Sequence, residues 1–552
     1  MIARPSSSSA TSEPVVVMAS LFEKFQRTTG RGADAFAVAI IVLAAALIVP
    51  LFALFRRRRS RGYPAPPGGL PFFGHALSLM DTDEITNVMT EWAEEFGRDR
   101  GVYEFRLFGR RWVVLCGSDA VAQAMRLRPH KLRRPSNLPG VLSSLGINGV
   151  FTAEGHQWSI DRRVVAPALN RNRLEEYFPH IKIVAGRLAS KWEGGDGVVS
   201  SGFSDLERYA LDIIALSILG MDFDSLNDAT HRLASDIRGI FHIMEKRVMS
   251  PVPYWKLPLL DNLIDGGRDT SGRVMETLRG LVRMYKEQKD DGALINDEQE
   301  QTTRDRKIFL HDLLDMSDGD NAKLDEERVA GNLATLILAG TDTTSGTLAV
   351  CLWEIANDLE LQNELHRDIS QSGIDMENLA FGDVMNGFPR LYSLLYEVLR
   401  LKGPGPAIFL EPAERIEIQG ELIEPGTMVV AMLRTFGEMA ASEIPTGPKG
   451  EGPEQFCPLR WLIPQNGTSG RIDGPLAVMH PSNKHCGFMP FGHGVRVCPG
   501  AQLAKIEVIT GLFCILRKFE ISPIPKHPPI RIVSRFTEKF DGEIQLILKP
   551  RI

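Results

Sequence analysis

One cysteine, delivered by the glycine-rich turn Phe491-Gly-His-Gly-Val-Arg-Val-Cys-Pro-Gly500, is the residue of this chain best placed to ligate a metal. It stands just before a helical run predicted over Ala501 to Arg517. A cysteine at a helix N-terminus faces the positive end of the dipole and unpaired backbone N–H groups, which should lower its pKa and keep it a thiolate. Pro499 suits a first helical turn, where an N–H has no intrahelical partner to lose. Gly492, Gly494 and Gly500 permit conformations and close approaches that a side chain would block. For a cysteine standing alone, the plainer reading is a small buried core residue.

A second chemical segment, Ala339-Gly-Thr-Asp-Thr-Thr-Ser345, interrupts an apolar helix between Leu333 and Val350. Helix propensity alone would not select it. Leu336, Ala339, Gly340 and Thr343 fall at helical spacing, so the middle of that face is small, carries one hydroxyl and can receive a flat group. Thr343 can bond back to the carbonyl of Ala339 or release it, distorting the helix locally. The alternative is a Ser/Thr patch that satisfies only its own backbone. Two pairs are weaker signals. Trp158 and Arg162 are four apart, so an indole N–H and a guanidinium can reach one anion. Glu397 and Arg400 are three apart, by default an ordinary surface pair.

The elements that must position these residues are mostly helical, which gives a mainly α fold with a small β portion. Long helices are predicted near Asp205 to Leu219 and Leu324 to Asn357. Val102 to Leu107 and Arg111 to Leu115 read as a hairpin around Phe108-Gly109-Arg110. A second strand pair is expected near Ile416 to Val430, turning at Glu424-Pro-Gly426. Gly447 to Pro453 and Pro464 to Pro481 read as surface loops, and Asp290 to Arg306 as a charged connection.

The chain has 552 residues, 43% hydrophobic and 24% charged, with 69 acidic against 63 basic residues and a net charge of −6. That balance suits a large core and offers no basic field for nucleic acid. Six scattered cysteines are too few for a disulfide framework, and His485, Cys486, His493 and Cys498 lack zinc-ligand spacing. Ala35 to Phe55 is an uncharged apolar run whose length, at 1.5 Å per residue, spans roughly 30 Å of hydrocarbon. It is too long and too far into the chain for a signal peptide, and arginines rather than a cleavage site follow it. Arg56 to Arg59 and Arg61 after the run outweigh Lys24, Arg27 and Arg31 before it, so the C-terminal body is expected in the cytosol. The prolines of Tyr63 to Pro71 then act as a stiff spacer. The expected organisation is a tail (1–34), a transmembrane anchor (35–55), a basic and Pro-rich linker (56–71) and one catalytic domain (72–552).

Six positions, Phe491, Gly492, Gly494, Arg496, Cys498 and Gly500, match the haem-binding signature of the cytochrome P-450 family. Ala339 to Thr343 is similar to the small-Gly-x-acid-Thr pattern of that family's oxygen-activating helix. Glu397-Val-Leu-Arg400, followed by Phe456-Cys-Pro-Leu-Arg460-Trp, resembles its buried Glu-Arg-Arg triad, a structural network. Trp158 and Arg162 fall where the family binds a haem propionate. The four motifs occur in family order between about Pro64 and the end of the chain.

The resemblance implies the cytochrome P-450 fold, with haem b (iron protoporphyrin IX) between the long threonine helix and the cysteine-loop helix. It implies Cys498 as the axial thiolate, whose electron donation favours O–O cleavage throughout the family. Phe491 would pack near the sulfur, Arg496 would pair with a propionate, and Ala339 and Gly340 would line the cofactor. Asp342 and Thr343 would supply protons during oxygen activation. One departure is Glu411-Pro412, where many members carry an arginine for the second propionate. The implied reaction inserts one oxygen atom of O₂ into a hydrophobic lipid, sterol, terpenoid or carotenoid. Electrons would come from a separate NADPH-cytochrome P-450 reductase docked near Lys484 and Arg517, with cytochrome b5 as a second donor. The eukaryotic microsomal type implies a single-pass endoplasmic reticulum protein, with a plastid or mitochondrial membrane as the alternative. Rival readings are a haem-thiolate isomerase or dehydratase and a non-catalytic haem-binding or membrane scaffold. Thr343 counts against the first, and the presence of both Asp342 and Thr343 against the second.

Overall fold

The structure, a computed structural model, describes residues 62–70, 72–80, 85–195, 197–199, 201–250, 252–290, 308–317, 324–434, 444–464, 476–478, 488–525, 527 and 531–551. The expected tail, the anchor at 35–55, Lys484, Cys486 and most of the 290–306 connection lie outside these residues. Among the described residues no helix is long and apolar enough to cross a membrane. The chain divides into two units, Met1–Gly62 with Leu70–Phe72, and Tyr63–Gly69 with Phe73–Ile552. All elements named here belong to the second.

Six helices matter for the site: α1 (Gly155–Val165), α2 (Gly202–Ile214), α3 (Arg232–Met249), α4 (Glu326–Asn357), α5 (Pro389–Lys402) and α6 (Ala501–Lys518). Helix α4 starts where Asp325 accepts the Arg328 N–H at 2.7 Å, and Glu326 and Glu327 occupy the first turn beside the dipole's positive end. Its run from Val329 to Leu338 is buried on every side, as expected of a helix apolar all round. Helices α2, α5 and α6 pack against it. A Cβ on Gly340 would come within 2.7 Å of Ile214 Cδ1, so that glycine lets α2 approach closely.

The β portion is a five-stranded sheet of β1 (Val102–Leu107), β2 (Arg110–Leu115), β3 (Leu132–Arg133), β4 (Ala407–Pro412) and β5 (Met428–Met432), ordered β1-β2-β5-β4-β3. Strands β2 and β5 run parallel and the other pairs antiparallel. The first hairpin is as expected. Its two-residue turn places Phe108 and Gly109 at φ 47° and 77°, matching the strand twist. The second expected pair differs. A short hairpin of Ile416–Ile418 and Glu421–Ile423 closes at Gln419-Gly420, both with positive φ, whereas Glu424-Pro-Gly426 only leads on to β5. The all-buried Met428–Met432 run pairs in the larger sheet, where both of its faces are covered. Part of the expected 464–481 loop is also strand, Leu476–Val478, paired with Leu462–Pro464. A last hairpin, β6 (Ile532–Ser534) and β7 (Glu538–Phe540), brings β7 against α4.

Candidate active site

Midway along α4 burial breaks: Ala339 is exposed, and Gly340 and Thr343 are half-covered, between stretches that are fully enclosed. The Thr343 hydroxyl donates to the Ala339 carbonyl at 2.8 Å, the back-bond expected of it. Residues Gly494 to Arg496 of the cysteine loop have no buried member, and Cys498 is open as well. The uncovered residues leave a gap in the burial of α4 and an exposed stretch in the cysteine loop, and Gly340 owes its size to Ile214 of α2.

The loop closes on itself through backbone bonds. Cys498 N–H donates to Phe491 O at 2.9 Å, Gly492 N–H to Met489 O at 2.9 Å and Val497 N–H to Gly494 O at 3.1 Å. Gly492 (φ 77°) and Gly494 (φ 69°) occupy the left-handed region, where a side chain would be strained. Gly500 differs from them: its φ is −83° and a Cβ there would sit at ordinary contact, 4.0 Å from the Cys498 sulfur. Pro499 also lies outside α6, because Gly500 is the N-cap and Ala501 the first helical residue.

The thiol itself corrects an expectation. Burial pushes the Cys498 pKa up, outweighing the Gly500 N–H and the Arg162 charge, which both favour the thiolate. The sulfur is accessible, but the protein around it withdraws enough water for desolvation to exceed the helix-end effect.

Beside the loop lies a cluster of guanidinium groups. Arg496 stacks 4.2 Å from the Trp158 ring centroid and donates to Ala153 O at 2.9 Å and Glu154 Oε2 at 2.6 Å. Its Nε and Nη1 are buried without partners among the described residues, as are the Nε atoms of Arg128 and Arg134. Burial first, then Arg128 and Arg496, pull the Arg134 guanidinium down to about 9. Burial likewise lowers Arg162, against the pull of Cys498. Among the described residues, Glu154 is the carboxylate whose charge favours the protonated form of Arg128, Arg134 and Arg496. The cluster therefore carries excess positive charge and orphaned donors, a cost relieved by an anion. Sequence reasoning missed Arg128 and Arg134. Their only signal was the basic stretch from Arg128 to Arg134, which resembles any solvated run. Glu411, at the departure from the family pattern, stands apart from this cluster: it pairs with Arg110 at 3.3 Å and accepts the Ser136 N–H at 3.2 Å.

Asp342 faces another way. It is buried, accepts the Thr537 hydroxyl and lies 3.7 Å from Lys539 Nζ. Glu397, Arg400 and Arg460 form a fully buried network outside the gap. Arg517, expected at a docking surface, is half-buried and donates to the Ile374 carbonyl.

Among curated proteins, cytochrome P450 4d2 of Drosophila melanogaster is 24% identical over 535 residues, covering 93% of this chain and 99% of the relative. Abscisic acid 8'-hydroxylase 1 of Arabidopsis thaliana is 24% identical over 473 residues, 85% of this chain and 88% of the relative. A bifunctional cytochrome P450/NADPH–P450 reductase of Alternaria alternata is 24% identical over 479 residues, 84% of this chain but 39% of that protein. Members of the family these names share use haem with an axial cysteine thiolate. A family model described as cytochrome P450 matches residues 64–540, and the chain accordingly belongs to the cytochrome P450 family of monooxygenases.

Proposed function

We propose that haem binds between α4 and the cysteine loop, with Cys498 as its axial ligand. The observation that supports this reading is the exposure of Ala339 and Cys498 and the partial exposure of Thr343 in a domain whose helices are otherwise largely buried. The orphaned guanidinium donors beside the cysteine loop suit the carboxylates of a porphyrin. When bound, the cofactor supplies the redox-active iron at which O₂ is reduced and one oxygen atom passes to substrate.

The chain's own residues do the remaining work. Arg496, Trp158 and Arg162 hold one propionate, and Arg128 and Arg134 take the second, which removes the need for an arginine at Glu411. Gly492 and Gly494 hold the turn, Phe491 packs at its base, and Gly500 caps α6 beside the sulfur. Cys498 would hold the iron through its sulfur, and a bound metal ion would favour the thiolate over the desolvation that raises the thiol in the free chain. Asp342 and Thr343 move protons toward the gap.

The substrate is a hydrophobic molecule of the lipid, sterol, terpenoid or carotenoid class. Apolar surface for such a molecule is offered by Phe409, which is 43% exposed, and by Phe151, which meets Phe536 edge-on at 6.2 Å. Electrons come from a separate NADPH-dependent reductase, with cytochrome b5 as a second donor. The 35–55 segment anchors the 72–552 domain to the cytosolic face of the endoplasmic reticulum.

Screening those compound classes for a spin-state shift of the haem absorbance identifies a substrate. With it, the purified protein is expected to consume NADPH and O₂ only when reductase and substrate are both present. Conversion of the substrate without NADPH would instead establish an isomerase or dehydratase.

A further inference from the structure

A cavity of about 240 Å³ lies on the side of α4 that Asp342 faces, lined by Glu207, Arg238, His242, Glu245, Asp342 and Lys539. That volume is many times what a single water needs, and polar side chains of both signs form its walls. His242 is exposed and marks the solvent end, while Asp342 and Thr341 form the floor. Lys539 bridges the space, with its Nζ 2.6 Å from Glu245 Oε1 and 3.7 Å from Asp342 Oδ1. Burial works against the Lys539 charge, but Asp342 and Glu245 outweigh it and hold its pKa above the ordinary lysine value. Lysine therefore serves as a fixed cation, unable to accept a proton near neutrality.

Glu207, on α2, is the carboxyl of this cavity with no hydrogen bond to the described residues. From α3 it faces Arg238, His242 and Glu245, from α4 Asp342, from β7 Lys539, and beyond the hairpin Glu543. We infer that Glu207 is the group through which protons from solvent reach Asp342, across this cavity, to supply the oxygen chemistry. The inference rests on the reading of Asp342 and Thr343 as proton donors given above. In each cycle the Glu207 O–H bond breaks and its proton passes through the cavity to the Asp342 carboxylate, forming an O–H bond there. Asp342 releases that proton toward Thr343, and Glu207 regains one from solvent at the His242 end. No electrons move in the relay. Burial, with Asp342 adding and Lys539 opposing, pushes the Glu207 carboxyl up to about 7, so at neutral pH it can both hold and release a proton.

The test uses the haem-loaded full chain, with O₂ as the probe and NADPH supplied through a cytochrome P-450 reductase. The split of consumed O₂ between water and hydrogen peroxide is read without any organic substrate. Wild-type water formation should fall as pH rises through about 7, because the protonated donor is lost. Glu207→Gln should lower water formation by about tenfold or more, raise the peroxide share and abolish that pH limb. Infrared titration of the same proteins gives a readout independent of turnover. A protonated-carboxyl band that fades near pH 7 should be present in wild type and in Asp342→Asn, and absent in Glu207→Gln. If Glu207→Gln keeps both the wild-type pH limb and the infrared band, the inference is overturned. If it does so while Asp342→Asn still diverts O₂ to peroxide, Asp342 remains the donor and only the role of Glu207 falls.

Discussion

Replacing Glu397 by alanine is expected to destabilise the protein by about 3–5 kcal/mol and to empty it of haem. Glu397 is fully buried in the C-terminal half of α5 and accepts five hydrogen bonds. Arg400 Nη2, Cys457 N and Arg460 Nε reach Oε1 at 2.7, 2.8 and 3.0 Å, while Arg400 Nε and Trp461 Nε1 reach Oε2 at 2.9 Å each. Removing the carboxylate strands two guanidinium charges where no water can solvate them. They cannot readily shed the charge, because a guanidinium stays protonated at neutral pH. The effect reaches the cysteine loop through Trp461, whose ring lies 5.0 Å from Phe488 just before the turn. Urea unfolding of wild type and Glu397→Ala, extrapolated to water, measures the loss. A difference under about 1 kcal/mol would place the network among ordinary surface pairs.

Asp342→Asn and Thr343→Val should each slow water formation from O₂ by about 10²–10⁴-fold and divert the electrons to hydrogen peroxide. The two variants fail for different reasons. Asparagine removes a transferable proton while keeping a group that can accept from Thr537. Valine keeps the volume of threonine but loses the hydroxyl that now donates to Ala339 O at 2.8 Å. Thr343 is half-covered and faces the gap, so its back-bond contributes little to stability, and thermal unfolding should shift by only a few degrees. A peroxide share equal to wild type in both variants would remove these residues from the proton path.

The gap was legible in outline because its two walls are local sequence features. A glycine-rich turn before a helix and a polar insert inside an apolar helix can each be seen without knowing what they face. The Thr343 back-bond and the first hairpin followed from local rules of the same kind. What stayed hidden depends on contacts far apart in the chain. Arg128 and Arg134 join Arg496 only after more than 350 intervening positions fold back, and nothing in their spacing announces it. Glu207 and Lys539 likewise meet across the cavity although more than 300 positions separate them. Met428–Met432 was assigned to the wrong partner because a strand buried on both faces carries no alternation to identify its neighbour. The Cys498 pKa ran against the helix-end argument because that argument omits desolvation, which only the folded surroundings supply.

The central claim is that the Cys498 sulfur binds iron beneath a porphyrin. The direct measurement is the absorption spectrum of the reduced, carbon monoxide-treated protein beside that of Cys498→Ala. The wild-type protein should give the band diagnostic of thiolate ligation and the variant should lack it. A wild-type spectrum without that band, or a variant that keeps it, would contradict the account.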